Sequence, residues 1–376
     1  MRSLSVSKTF SSFGGSIIGS SPYLNTRHEQ DMGLFAPSGK RLLFLALIAL
    51  FTLAIPSFVS PSILTVSNYV LIAVVGATGL QIVTGLGAQL SLGHAAFMAV
   101  GGFMSMGLYL QAGMPSWLIL ILATFGGALV GLLAGLSALR LRGFYLGITT
   151  LAVQAIVAVI ASKFQVFLQN TYGTTTDLTL PELSLVGVGI SSNQRWFYLL
   201  LIFSVFSIFF LKNLTRSSFG RDAAAMRQKE VVAESLGINV KKVKLTAFAL
   251  SGLFGGLCGC LQTFYFSQAS VEDFNLNVSV KFLAIIIIGG LGVTAGVVYG
   301  AIFVTGTTYL VGDLISRFGL EERLGPKQRG IELGIFAITM IVFLIVEPEG
   351  IAGVWSRIRG YFQQWPYKFM NTARAN

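Results

Sequence analysis

Residues 212–244 read KNLTRSSFGRDAAAMRQKEVVAESLGINVKKVK. The stretch carries eight Lys or Arg (Lys212, Arg216, Arg221, Arg227, Lys229, Lys241, Lys242, Lys244) against three acids (Asp222, Glu230, Glu234), and long, nearly uncharged runs flank it. Such a segment cannot rest in hydrocarbon, where a central Arg or Lys costs roughly 2.5–3.5 kcal/mol even on the mildest scale. It is held on the cytoplasmic face and so orients the runs around it. Within it one short helix is predicted. Ser217 and Ser218 offer N-caps, Gly220 loosens the start, Asp222 falls in the first turn and Gly237 is placed to stop it. Ala225, Val232 and Leu236 stand at i, i+7 and i+11 and share an apolar stripe. The pattern fits a solvated loop that sets topology and touches anionic membrane lipid, or a docking helix for a cytoplasmic partner.

The surrounding chain is built for a membrane. Of 376 residues, 54% are hydrophobic and only 11% charged, where a soluble domain averages about 25%. From Leu42 to Leu139 there is no Asp, Glu, Lys or Arg, and at about 20 residues per crossing that run holds four helices. The fold class is therefore all-α, a polytopic transmembrane bundle. A net charge of +11 in a soluble protein would suggest nucleic acid, but here the bases gather at span ends and in loops, so nucleic acid is discounted. Cys258 and Cys260, two apart in an apolar run, do not face each other on a helix and read as small packing residues. No zinc spacing and no G-x-x-x-x-G-K-[ST] loop occurs, so no metal or cofactor is expected and any ATP hydrolysis belongs to another chain.

In chain order, residues 1–40 read as a disordered cytoplasmic tail, 41–350 as the membrane domain and 351–376 as a cytoplasmic tail. Spans are expected at Leu42 to about Val59, Ile63 to Thr84, about His94 to Leu110, Pro115 to Leu139, Gly143 to Phe167 and Trp196 to Leu211. Residues 169–194 read as a polar, Thr-rich loop, Leu245–Phe266 as the next span and Ser267–Lys281 as an outer loop. Residues 282–312 are too long for one helix and short for two, so the Gly289-Gly290-Leu291-Gly292 break invites two short crossings, with the first lengthened back into 274–281. With a last span at Leu333–Val346 the count is nine or ten.

Two apolar stretches are interrupted by glycine, Gly85–Gly93 and Gly289–Gly296, and each contains Gly-Leu-Gly. Broken backbone at membrane depth is tolerated where it lines a cavity, and paired breaks point to a translocation path. Gly87, Gln89, Ser91, Gly93, His94, Gly290 and Gly292 are the candidates. The competing reading is close helix packing through small residues. His94, the sole ionisable side chain between Arg41 and Arg140, reads as a hydrogen-bonded hinge in preference to a proton carrier. No midplane carboxylate is visible, which argues for a channel or an externally driven permease over an ion-coupled carrier.

Five stretches, in order, resemble the permease subunits of branched-chain amino-acid ABC importers, the LivM type. They are Leu90-Ser91-Leu92-Gly93-His94-Ala95-Ala96-Phe97; Arg140–Leu146 with Thr149, Leu151 and Ala152; Gly220–Glu230 with Ala233–Ile238; Gly289–Gly292; and Glu349–Trp355. The resemblance implies a heterodimer with a second permease, two ATP-binding cassette subunits, a periplasmic binding protein and a bacterial inner-membrane location with a cytoplasmic N-terminus. It implies no enzyme activity in this chain, and a coupling role for Arg221, Ala225, Arg227, Glu230, Ala233, Leu236 and Gly237. Gln228 and Lys229 depart from the family pattern, which more often has an acid and a small polar residue there. The same family includes urea and amide permeases; an alternative of another class is a self-sufficient channel or ion-coupled carrier.

Overall fold

Pro61 starts the first described helix, where its missing N–H costs nothing, and the run to Leu80 has no charge to interrupt it. A computed structural model describes residues 56, 59–141, 143–172, 183–185, 188–190, 192–317 and scattered positions between Gly330 and Arg357. The expectations for residues 1–40, for the first span except Pro56 and Val59, and for the C-terminal tail beyond Arg357 lie outside them, and the last span is described only at scattered positions.

The helices are α1 (Pro61–Leu80), α2 (His94–Ala112), α3 (Ser116–Ala138), α4 (Phe144–Tyr172), α5 (Asn193–Arg216), α6 (Ser218–Gln228), α7 (Glu230–Ser235), α8 (Val240–Phe266), α9 (Leu276–Gly289) and α10 (Thr294–Arg317). The π-turn Gln81–Leu86 extends α1. Six of these segments, α1 with its π-turn, α2, α3, α4, α5 and α8, are long and apolar enough to cross a membrane. The protein is an all-α integral membrane bundle.

Burial sorts the layers. The most apolar windows of α1 and α8 are 72% buried, those of α4 and α5 only 28%, so the first pair is central and the second peripheral. Outward on α4 and α5 lie Ile156, Ile160, Ile202 and Phe206, an apolar face suited to lipid. Small residues let the central helices close. Gly127 and Gly131 of α3 meet Gly252 and Gly256 of α8, and a Cβ on Gly127 would lie 2.6 Å from the Gly256 Cα. These are crossed G-x-x-x-G ridges, whose backbones approach because nothing projects between them. Cys258 is a packing residue, buried with its Sγ 3.4 Å from the Ile72 carbonyl.

Four details differ from the sequence reading. The Thr-rich loop holds a small antiparallel hairpin, Leu183–Leu185 on Val188–Ile190. The basic stretch is two helices, because Lys229 turns extended (φ −155°, ψ 114°) between α6 and α7. Ser217 does cap α6, accepting from the Gly220 N–H, but no acid lies in the first turn, since Asp222 falls beyond it. Lys281 is no loop residue: α9 begins at Leu276 and carries Lys281 into the bundle.

The pair α9–α10 forms a tight hairpin turned at Gly290 and Gly292, whose φ of +119° and +82° side chains disfavour. Gly289 packs against Gly296, and Gly300 against the Ile285 carbonyl. At about 1.5 Å per residue the 14 residues of α9 span about 21 Å, short of the roughly 30 Å hydrocarbon core. The segment before it dips inward instead. Phe274 is buried against Gly102 and Phe103, and its carbonyl accepts from Gln154 Nε2 at 2.7 Å. Ser270 and Asp273 form a capping box there, so the backbone is satisfied within protein.

Candidate functional site

The two glycine breaks meet. Gln81, fully buried in the π-turn, donates from Nε2 to the carbonyls of Gly290 at 3.0 Å and Val293 at 3.2 Å. Gly85, one turn on, lies against Gly292, where a Cβ would stand 2.9 Å from the Gly292 N. Into this seam reaches Arg227 of α6, donating from Nη1 to the Gly85 carbonyl at 3.0 Å. A Cβ on Gly292 would strike the same guanidinium nitrogen. Gly350 (φ +74°) closes the seam from another side, its Cβ position 2.7 Å from the Gly290 N.

The basic loop sits on the bundle through its small face. Ala223, Met226 and Ala233 are buried with Val240 and Val243, and Leu86 and Phe219 pack against them. Glu230 adds a fixed link: its Oε1 lies 2.7 Å from Lys244 Nζ, and that ammonium, only 2% exposed, also donates to the Ala138 carbonyl at 3.2 Å. The pair therefore ties α7 to α8 and to the end of α3. α7 ends in a Schellman turn, with Ile238 N–H on the Ala233 carbonyl and Gly237 N–H on that of Glu234, and Gly237 takes φ +84°.

The loop's opposite face is free of these contacts and apolar at one end: Leu236 is 73% exposed and Val231 66%. Arg221 of α6 is also exposed, with Nη1 on the Arg216 carbonyl. The proposed stripe thus divides. Ala225 is half-buried towards the bundle, while Val232 and Leu236 point away, because the break at Lys229 rotates α7 relative to α6.

The first break's other candidates lie inside the packing. Leu92 N–H donates to Thr150 Oγ1 at 2.9 Å, and a Cβ on Gly93 would strike the Thr150 carbonyl. Gly87 accepts from Gln89 Nε2 at 3.2 Å, and Ser91 is fully buried. His94, also fully buried, starts α2 with its ring 5.4 Å from that of Phe282, and its Cε1 lies 3.2 Å from the Cβ position of Gly79. Gly290 and Gly292 join Gly85 and Arg227 at the seam, whereas His94 packs a level deeper. Sequence reasoning missed Gln81; its signal was an amide inside an uncharged apolar run, a signal shared with Asn68 earlier in the same helix. It also missed Lys281 and the docking of Gly350 on Gly290.

Of the stretches so joined, 90–97 with 140–152 and 220–238 with 289–292 fall within residues 62–345, which match the family model of the branched-chain amino acid transport system permease component. The chain belongs to this family. It is 30% identical over 300 residues to the high-affinity branched-chain amino acid transport system permease protein LivM of Escherichia coli, covering 73% of this chain and 69% of that one. It is also 26% identical over 305 residues to the probable branched-chain amino acid transport permease protein LivH of Methanocaldococcus jannaschii, covering 78% and 91%. A more distant similarity, 28% over 298 residues, is to the galactose/methyl galactoside import permease protein MglC of Escherichia coli, covering 72% and 86%. No solved structure matched. Relatives of this kind are transport permeases and not enzymes in themselves, and the protein is a membrane-embedded ABC-type permease.

Proposed function

We propose that this permease subunit passes branched-chain amino acids through the bacterial inner membrane into the cell, with its N-terminus cytoplasmic. It works beside a second, homologous permease, above two ATP-binding cassette subunits and below a periplasmic binding protein. The observation that carries this reading is the reach of Arg227 from an exposed basic loop to the seam where Gly85 and Gly292 meet. A force applied to α6 and α7 from the cytoplasm passes directly to the backbone of both breaks. Leu236, Val231 and Arg221 form the surface offered to the ATPase, and Glu230, Ala233 and Gly237 fix α7 to the bundle. ATP closure of the ATPase pair then moves α6 and α7 together, and the π-turn and the α9–α10 hairpin reorient. Gln89, Ser91, Gly93 and His94 serve as the packed hinge of α2.

The test is purification in mild detergent followed by uptake in proteoliposomes. Co-purification of an ATPase pair and a second permease, with ATP-dependent leucine uptake once the binding protein is added, is the expected result. Solute flux by the lone polypeptide without ATP would overturn it.

A further inference from the structure

A cavity lies in the half of the bundle away from the seam. It has a volume of about 190 Å³ and sits between α1, α8, α9 and α10. Tyr69, in its wall, is eight residues into the bundle from Pro61, or about 12 Å by helix rise. Apolar surface comes from Ile72, Phe282 and Ile285, while Lys281, Gln262 and Thr305 supply polar groups. The Thr305 hydroxyl is buried with no hydrogen-bond partner, and among the described residues no acid pairs with Lys281. Tyr309 stacks on Tyr69 with ring centres 4.7 Å apart and also lines a wider outer cavity of about 950 Å³ beside Ser62 and Thr65.

An ammonium that meets no acid among the described residues is costly inside a membrane bundle unless something negative visits it. An apolar wall with one charge and a few polar groups is the makeup of a small-ligand site. At ~30 Å³ per water the space is that of about six waters. We infer that this cavity is a transient site for the transported amino acid, in which Lys281 takes the α-carboxylate, Gln262 and Thr305 complete its hydrogen bonds, and Ile72 and Ile285 receive the aliphatic side chain. The inference rests on the amino-acid reading above and adds the recognition element within this subunit.

The experiment uses the whole complex with its binding protein in proteoliposomes. Lys281→Gln should lower leucine uptake about tenfold or more, while Lys281→Arg keeps most of it and both retain assembly and basal ATPase activity. A second reading avoids dependence on turnover. In a Thr305→Cys complex with Cys258 and Cys260 changed to Ala, anionic sulfonatoethyl methanethiosulfonate should label faster than its cationic trimethylammonium analogue. Excess leucine should protect and leucinamide should not, and Lys281→Gln should erase the charge preference. Equal uptake in Lys281→Gln, or labelling indifferent to leucine, overturns the site and leaves the importer standing. Absence of leucine uptake by the wild-type complex, alongside uptake of another solute, overturns both.

Discussion

Replacing Glu230 by Gln removes one charge from the link between α7 and α8. Lys244 is 2% exposed, and its ammonium then meets a neutral amide oxygen in place of the carboxylate, beside the Ala138 carbonyl at 3.2 Å. Breaking a fully buried pair from one side costs about 3–5 kcal/mol, because the remaining charge is stranded. The Glu230 side chain is 20% exposed, so water reaches the pair and about 2–3 kcal/mol is the working figure. That corresponds to roughly 30- to 150-fold in the opening equilibrium of α7. The opposite change, Lys244→Met, leaves a carboxylate that water can reach and a methylene stem that still packs, so it should cost about 1 kcal/mol. The double variant should resemble Lys244→Met and be milder than Glu230→Gln alone. Amide hydrogen exchange over residues 229–238 in the intact complex measures the opening directly, and uptake per ATP measures its consequence. Exchange at 229–238 that is unchanged in Glu230→Gln, or faster in Lys244→Met than in Glu230→Gln, would refute the argument that a stranded ammonium controls this helix.

Arg227→Asp combined with Leu236→Asp should leave the protein in the membrane while uptake falls and ATP hydrolysis becomes indifferent to solute; retained uptake that still needs the ATPase would remove the loop from the coupling path. Gln81→Leu removes the side-chain donor shared by the carbonyls of Gly290 and Val293, which keep the Val293 and Gly296 N–H groups, and should cost about 0.5–1.5 kcal/mol, read as a lower melting temperature of the solubilised complex. Gly127→Val pushes a side chain into the α8 backbone at Gly252 and Gly256 and should cost about 1–3 kcal/mol or prevent assembly, whereas Gly306→Ala meets nothing within 4 Å and should be neutral or slightly stabilising in the same melt.

The membrane class, the order of the described spans and the two breaks were legible, because hydropathy and charge act on whole segments. The restart of α9 before residue 282 was legible as well, since 31 uncharged residues could not make two crossings without it. The split of the basic loop at Lys229 was not. Nothing in Gln228-Lys229-Glu230 breaks a helix by propensity, and the turn arises where α6 and α7 follow different surfaces, α6 the seam and α7 the start of α8. Lys281 was read two ways, as the end of an outer loop and within a first half drawn back into 274–281, and the second holds. Charge argued for an outer loop, and only the cavity between α1, α8, α9 and α10 gives the ammonium a place inside the bundle.

The glycines differ by position. Gly127, Gly252 and Gly256 lie mid-helix with ordinary helical backbone and face other backbones, so their role is closeness. Gly289, Gly296 and Gly300 do the same between α9 and α10. Gly290, Gly292 and Gly350 differ, since each holds a positive φ and each lies at the seam that Arg227 or Gln81 reaches. A residue kept in that backbone region is a place where a chain can turn with little penalty. The π-turn end of α1 and the α9–α10 hairpin meet there, and Arg227 of the basic loop reaches the same seam.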